Sequence, residues 1–578
     1  MMEESPVETE TLIRTLRLTS AEPTDVEVKA ASGGCPRSLR ETLSVFSNAG
    51  GGTILLGLTD SDFTALDVDA DALRTALAGM AANDVTPPAR GSIEIELFEG
   101  RRIVRMDVIE MDPVEKPCYV TAQGRYSGSY IRTADGDRRL SHYEIDRLLE
   151  NRTQPEFDRE VVAEASVEDL DPGLIAAYLD RITQARPRGF AGLDQAAVMN
   201  RLGLTATRGG APHPTLAALL TFGAYPQQFF PQLNITVVAL PTPRMGDPAP
   251  NGERFLDNIT CDGPIGTMLS DAIAGVTRNM TRAAVIEGTG RVDRYEYPLE
   301  VVRELLVNAV MHRDYSPGAR GSQIQVELYP DRLVVRSPGG FYGLVDPADF
   351  GDPAVSSSRN ALLARILADT PLGGRGEMLA ENRGSGIPTV LRTLHRAGRV
   401  PPEFHADLRR VEVTVPHHAL LTPEVVGWID SLGQDLSQAQ IQTLALLYSG
   451  KAVRNQTLQG WGIHAADATR ELTDLVRRGL VVKVGDRRGA SYLLADTAAE
   501  TQRLLALTAR QRAILNFLTP GMDVAVGDLI EPLGVGRATV TNDLNALIEA
   551  GLVVASAPPR SKNRTYRRTN SKPGKATP

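Results

Sequence analysis

Two rhythms of apolar residues alternate along the first part of this chain, one repeating at every second position and one at about every 3.6, and together they predict strands interleaved with helices. Leu39, Leu43 and Phe46 share one face of a helix over 39–48, which runs into the turn Asn48-Ala49-Gly50-Gly51-Gly52. Thr53-Ile54-Leu55-Leu56-Gly57-Leu58 is a short buried strand closed off by Asp60. Ile93 to Leu97 and Ile103 to Val108 flank Gly100 as the arms of a hairpin, and a helix is expected over 142–150. Helical spacing returns at 174–182, 194–202 and 216–223, and a strand at 235–240; these segments read as connectors. Leu299 to His312 is different. Val301, Val302, Leu305, Leu306, Ala309 and Val310 give it a buried face, whereas Glu300, Glu304, Asn308 and His312 recur every four residues and line another. Strands follow at 324–328 and around 333–335, then the turn Ser337-Pro338-Gly339-Gly340, and Arg383-Gly384-Ser385-Gly386-Ile387 opens a further helix.

Arg470 to Val482 matches Asn542 to Val554 at a constant offset of 72, so a small domain is present twice. In the second copy helices are predicted over 508–518, 526–535 and 536–544, with a strand at 551–554. The first copy, Leu436 to Leu493, keeps the same order and has a hairpin wing at 483–489. Helix, helix, turn, helix, strand is the winged helix-turn-helix arrangement, whose third helix enters a major groove. Arg537, Thr539, Thr541 and Asn542 would then face bases or phosphates, with Arg487 and Arg488 on the first wing. Docking of protein is the alternative use of such a unit.

At 578 residues the chain has room for three to five domains. Its 42% hydrophobic and 23% charged residues exclude a collagen-like, coiled-coil or wholly disordered chain. No apolar run approaches the roughly 18 residues needed to cross a bilayer, and Met1-Met2-Glu3-Glu4-Ser5 does not read as a secretory signal, so a cytoplasmic location with no membrane partner is expected. Cys35, Cys118 and Cys261 are too scattered for a zinc ribbon or a disulfide framework. The net charge of -9 excludes a polycation that coats nucleic acid. Charge is uneven, however: Leu436 to Leu493 holds eight basic residues against four acidic ones, and Arg560 to Pro578 holds seven and none, a solvated tail able to touch phosphates.

A carboxylate and an amide in line on the wall of a core, as Glu304 and Asn308 are, suit a hydrated Mg²⁺ and an activated water, although a helix with one wet stripe has the same spacing. Taken with the glycine turns that follow, the ordered set resembles the GHKL ATPase fold of gyrase, MutL and histidine kinases, and in detail the variant found beside winged helices in proteins labelled RecG-like. The resemblance implies ATP and Mg²⁺ as cofactors. Glu304 matches the general base, Asn308 the magnesium ligand with His312 on the same face, Gly339 and Gly340 the adenine contact, and Gly384, Ser385 and Gly386 the phosphate cover. Arg359-Asn360 and Gly373-Gly374-Arg375-Gly376 would belong to a mobile lid. The aspartate that reads adenine in this fold is absent from Ser337-Pro338-Gly339-Gly340, which leaves nucleotide identity and turnover open.

Glu22-Pro23-Thr24-Asp25-Val26-Glu27-Val28-Lys29, followed by Asn48-Ala49-Gly50-Gly51-Gly52-Thr53-Ile54, resembles the Schlafen-type AlbA domain over 20–150, and Gly128-Ser129-Tyr130-Ile131-Arg132 fits its closing strand. Glu22, Glu27 and Asp60 match the three-carboxylate metal site of Schlafen nucleases, and Lys29 and Arg132 would meet a nucleic-acid backbone.

The expected architecture is multidomain α+β. A Schlafen-type AlbA α/β domain (1–152) and a helical connector that begins the central domain (153–250) precede a GHKL-like (Bergerat) α/β sandwich (251–425). Two tandem winged helix-turn-helix domains (430–497 and 503–569) and a basic disordered tail (570–578) follow. In this order the parts resemble a bacterial family of transcriptional regulators. The resemblance implies an ATP-responsive DNA-binding regulator and a homo-oligomer. The alternative is a metal-dependent nuclease acting on RNA or DNA, in antiphage defence, with the other domains as sensor. A helicase motor is excluded, because no G-x-x-x-x-G-K-[ST] loop is present.

Overall fold

The computed structural model describes residues 9–10, 12–14, 16–17, 22–133, 136–249, 252–280, 282–287, 290–343, 357–372, 378–380, 384–417, 419–484, 490–495, 509–518, 523–533, 535–549, 552–557 and 564–568. Gly373 to Gly376, Arg383, Arg487, Arg488 and the tail 570–578 lie outside them. The chain divides into two compact units, 1–145 with 476–484 and 493–578, and 146–475 with 485–492. Among the described residues no helix is long and apolar enough to cross a membrane.

In the first unit a four-stranded sheet runs β1 (Val26–Lys29), β2 (Gly52–Leu56), β4 (Arg101–Ile109), β3 (Arg90–Phe98). β1 and β2 are parallel, joined by helix α1 (Leu39–Asn48), and the hairpin across Gly100 is as the alternation predicts. Leu39, Leu43 and Phe46 are buried, which is why the amphipathic stretch folds back on the sheet. Helix α2 (Ala70–Asn83) is capped by the Asp69 side chain on the Ala72 amide at 3.0 Å. A separate ribbon pairs β5 (Tyr130–Thr133) with β6 (Gly136–Arg139), ahead of helix α3 (His142–Glu150).

The second unit is built around a six-stranded sheet, in the order β8 (Asp257–Cys261), β7 (Ile235–Ala239), β11 (Ile324–Leu328), β12 (Arg332–Pro338), β14 (Arg410–Pro416), β13 (Glu403–Ala406). Helices α4 (Pro172–Ala185), α5 (Gln195–Arg201), α6 (Leu216–Phe222), α7 (Ile265–Asn279), α8 (Leu299–Met311), α9 (Ala361–Ala368) and α10 (Gly386–Arg396) belong to this unit. A ribbon of β9 (Arg282–Glu287) and β10 (Gly290–Tyr295) stands between α7 and α8 in sequence.

The segment expected to be a connector that begins the central domain shares the core of that domain. β7 pairs in parallel with β11, Ile235 opposite Ile324, and Tyr178, Leu219 and Phe222 share one core with Val301, Leu305, Val326 and Leu333. The expected boundary at 250 therefore cuts a single core. The reason it was hidden is distance along the chain, since the partner of β7 lies about ninety residues later and no local pattern announces a parallel pair.

Two three-helix units follow. The first has α11 (Gln438–Tyr448), α12 (Asn455–Gly460) and α13 (Ala465–Arg477), with short strands β15 (Val453–Arg454), β16 (Val481–Val484) and β17 (Ser491–Leu494); β15 pairs with β17. The second has α14 (Ala509–Phe517), α15 (Val526–Leu533) and α16 (Arg537–Glu549), closed by a sheet of β18 (Val524–Ala525), β20 (Thr565–Arg568) and β19 (Val553–Ala555). The solvated tail expected from Arg560 onward is thereby corrected. Tyr566 is 2% exposed in the core of the second three-helix unit, and Arg567 pairs with Asp523 at 2.9 Å. The alternation that turns Tyr566 inward is masked in the sequence by the arginines beside it.

Replacing Tyr566 with alanine is therefore expected to destabilise the C-terminal unit by about 3 kcal/mol, as for other buried aromatics. Denaturant unfolding with limited proteolysis of 509–568 checks this; a solvated tail would leave both unchanged.

Candidate functional site

Helix α8 places most of its apolar residues in the core, so its remaining face must look out along one line. On that line Asn308 donates its amide N–H to the Glu304 carboxylate at 3.2 Å, and Glu300 accepts the Thr393 hydroxyl from α10 at 2.9 Å. Gly386, the first residue of α10, sits against Glu304 so closely that a Cβ there would overlap the carboxylate and stand 3.0 Å from the Asn308 amide. Only glycine allows this approach. Ser385, the N-cap, makes no side-chain cap to the helix, and Gly384 before it has φ +69°. Pro388 has no N–H and the Thr389 amide bonds the Ser385 carbonyl at 2.8 Å, so the amides of Gly386 and Ile387 are the first-turn donors that a helix start can present to an anion at the Glu304 corner. The Asn308 amide oxygen and the Glu304 carboxylate are the hard oxygen ligands that Mg²⁺ takes.

His312, one turn beyond Asn308, has its pKa lowered from the ordinary 6.5 to about 4, by burial first and then by the Arg359 charge. It is neutral at neutral pH. The chain then enters a buried polar knot. Asp314 accepts the Ser316 amide at 2.8 Å and the Arg147 guanidinium at 3.0 Å. Burial pushes its carboxyl up, but the charge of Arg359, the Ser316 amide and Arg147 outweigh that and hold it below the usual carboxylate range. Its own N–H donates to Pro338 at 2.8 Å, which ties the knot to the turn at Gly339-Gly340. Gly339 has φ +93°, and a Cβ on it would lie 2.6 Å from that of Asp314. Ser337, at the head of that turn, donates its hydroxyl to the Ala309 carbonyl of α8 at 2.8 Å.

Arg359 and Asn360 are not lid residues. They are 3% and 1% exposed; Arg359 donates to the Gly340 carbonyl at 2.9 Å, and Asn360 to the carbonyls of Met311 and Arg313 at 2.9 and 2.8 Å. Arg147 and Asp314 were not singled out from sequence. The signal was the charged string His312-Arg313-Asp314 directly after a buried helix, where an ordinary surface loop would carry no reason for such density.

In the first unit, Glu27 on β1 is held by Lys29 at 2.7 Å and by Arg132 at 2.5 Å. Arg132 also pairs with Asp137 at 2.6 Å, donates to the Val26 carbonyl at 3.0 Å and lies over the Phe46 ring. The Glu22 carboxyl is pushed above its ordinary value by burial first and then by the charge of Glu27, with Lys29 and Arg132 opposing. Asp60 is exposed after β2. Among the described residues no three His, Cys, Asp or Glu side chains are grouped so as to hold a metal ion. Glu22, Glu27 and Asp60 therefore do not fit that role as arranged, because the central carboxylate of the set is already neutralised by two cations. Lys29 and Arg132 are likewise engaged internally. Asn48, the start of the glycine turn, is structural: its amide donates to the carbonyls of Cys118 and Tyr130 at 2.9 and 3.0 Å and accepts the Cys118 N–H at 2.7 Å. On α16, Arg537 and Asn542 are exposed, while Thr539 and Thr541 are half-buried and Thr541 donates to the Arg537 carbonyl at 2.8 Å.

Residues 321–415 match the family model described as "Putative ATP-dependent DNA helicase recG C-terminal". Residues 22–141 match "Schlafen, AlbA_2", and 146–236 match "Domain of unknown function (DUF8451)". The first match takes in Gly339, Gly340 and Gly384 to Gly386 but begins after α8, so Glu304 and Asn308 lie outside it. Among solved structures, the DIP2311 protein from Corynebacterium diphtheriae is 18% identical over 97% of this chain and 100% of that one, with a TM-score of 0.35. The N-terminal domain of a "Putative ATP-dependent DNA Helicase RecG-related Protein" from Nitrosomonas europaea is 27% identical over 23% of this chain and 94% of that one, with a TM-score of 0.19. Neither overlay is close enough to bear on the site. No curated protein sequence matches the chain.

Asn48→Ala removes three hydrogen bonds to buried backbone groups, the Cys118 carbonyl keeping the Ser44 hydroxyl, and is expected to destabilise the first unit by about 3 kcal/mol, measurable by denaturant unfolding. The His312 pKa lies below that of an unfolded histidine, so the unfolded chain takes up the extra proton between pH 6.5 and about 4. Its contribution to stability is full above pH 6.5 and is lost as the pH falls toward about 4. An imidazole NMR titration checks it; a midpoint at the ordinary value contradicts the burial described.

Proposed function

We propose that this chain is an ATP-binding, DNA-contacting regulator in which nucleotide held between α8 and the start of α10 sets the affinity for DNA. The observation that carries the reading is the Glu304–Asn308 pair facing the helix start at Gly386, directly ahead of the segment similar to the RecG C-terminal family. The α10 amides take phosphate oxygens. Asn308 would hold Mg²⁺, which when bound would supply positive charge to the nucleotide phosphates. Glu304 orients a water and accepts its proton, and the turn Gly339-Gly340 lets the base approach the backbone. The adenine-reading aspartate is absent from Ser337-Pro338-Gly339-Gly340, so nucleotide binding is the function assigned, with no assignment of turnover.

DNA contact is assigned to the C-terminal three-helix units read as winged helices, chiefly through Arg537 and Asn542 on α16. The likeness of 22–141 to Schlafen AlbA_2 supports nucleic-acid contact by the first unit as well. The ion pairs of Glu27 argue against metal-dependent cleavage there.

In an equilibrium binding measurement with Mg²⁺, Asn308→Ala is expected to weaken ATP binding by about tenfold or more, roughly 1.4 kcal/mol, whereas Glu304→Gln retains binding. Unchanged binding in Asn308→Ala overturns the nucleotide site. Incubation of the protein with labelled tRNA, single-stranded DNA and duplex DNA in Mg²⁺ or Mn²⁺ is expected to leave all three intact. Cleavage abolished by the joint change Glu22→Ala, Glu27→Ala and Asp60→Ala would replace the regulator by the nuclease reading.

A further inference from the structure

Helix α10 has two ends with different neighbours. Its first residue, Gly386, lies on the Glu304 carboxylate, and its last turn reaches the first three-helix unit. There the His395 ring stacks on Trp461, centroids 4.7 Å apart and planes 13° from parallel, at the end of α12. A Cβ on the neighbouring Gly462 would come within 3.5 Å of the Arg392 side chain. Trp461 is 7% exposed, so the large aromatic is spent on this junction. Between the two ends Val390 and Leu394 are fully buried against the core and Thr393 is tied to Glu300 of α8. Eleven helical residues span about 16 Å, and a helix bonded along its length moves as one piece. A second tie joins the same partners, Lys451 with Glu403 of β13 at 2.6 Å.

The two three-helix units are not equivalent on the face that would read DNA. At the offset of 72, Arg537 corresponds to Ala465 and Thr539 to Asp467. Asp467 pairs with Arg470 at 2.8 Å, so at these two positions the third helix of the first unit carries an alanine and a paired carboxylate where the second carries an exposed cation and a half-buried hydroxyl. The two helices therefore differ at positions that in the second unit would meet phosphates and bases, while Thr541 corresponds to Thr469 and Asn542 to Arg470.

We propose that the first three-helix unit is a receiver docked on α10, and that occupancy of the Gly384–Gly386 corner is reported to it through the His395–Trp461 stack. The proposal rests on the nucleotide reading above. Phosphates drawn to the α10 amides shift the helix at its first turn, and the rigid rod carries the shift to its last, where the stack must slide or part.

The chain has two tryptophans, Trp428 and Trp461, so Trp428→Phe leaves Trp461 as its sole reporter. In that full-length variant ATP with Mg²⁺ is expected to change Trp461 emission saturably, at the concentrations at which equilibrium dialysis records ATP binding. Adding His395→Leu keeps the binding and abolishes the emission change. Hydrogen exchange over 455–463 in the unaltered chain gives the same readout without substitution, with altered protection expected when ATP is bound. ATP bound by dialysis with emission and exchange both unchanged overturns the receiver role alone. No ATP bound overturns the nucleotide reading and this proposal with it.

Discussion

Glu304 and Gly386 approach more closely than any side chain at position 386 would permit, and the rest of the second unit is arranged around that contact. Helix α8 is fixed by its apolar face in the core, so the carboxylate has one position to occupy. Helix α10 is fixed against it by Val390, Leu394 and the Thr393–Glu300 bond. The start of α10 is built differently, with glycines in place of side chains at 384 and 386. A site of this kind responds to an anion by shifting a population already accessible to it, in proportion to the difference in affinity between the two arrangements.

The second constraint is the knot at Asp314. A buried ion pair adds little net stability, because the desolvation of both groups offsets their attraction, yet removal of one partner costs about 3–5 kcal/mol. Such a pair is better understood as fixing geometry. Arg147, Asp314 and the backbone bond to Pro338 hold the Gly339-Gly340 turn at a set distance from α8, and Asn360 closes the end of the same helix. The Gly339-Gly340 turn and α8 therefore share one frame, with His312 kept neutral by burial and by the Arg359 charge.

Local pattern made much of this legible. The spacing of Leu39, Leu43 and Phe46, the hairpin across Gly100, the stripe from Glu300 to His312 and the repeat at offset 72 each report an element whose partners are near in sequence. What escaped was set by distant pairing or by competition between side chains. β7 looked like a connector because its parallel partner is remote. Tyr566 was hidden among arginines. Arg359 and Asn360 read as a lid because polar residues near glycines suggest solvent, whereas Arg359 bonds the Gly340 carbonyl and the acceptors of Asn360 lie at the end of α8. Glu27 read as a metal ligand because spacing cannot tell whether Lys29 and Arg132 reach it first.

The central claim is that nucleotide and DNA are coupled through one chain. The direct measurement is the equilibrium affinity of the full-length protein for duplex DNA at fixed salt, with Mg²⁺ alone and with Mg²⁺ and saturating ATP. The account predicts a change of about fivefold or more, the lower range of allosteric coupling, and its loss in Asn308→Ala. Equal affinities in the presence of demonstrably bound ATP would contradict it.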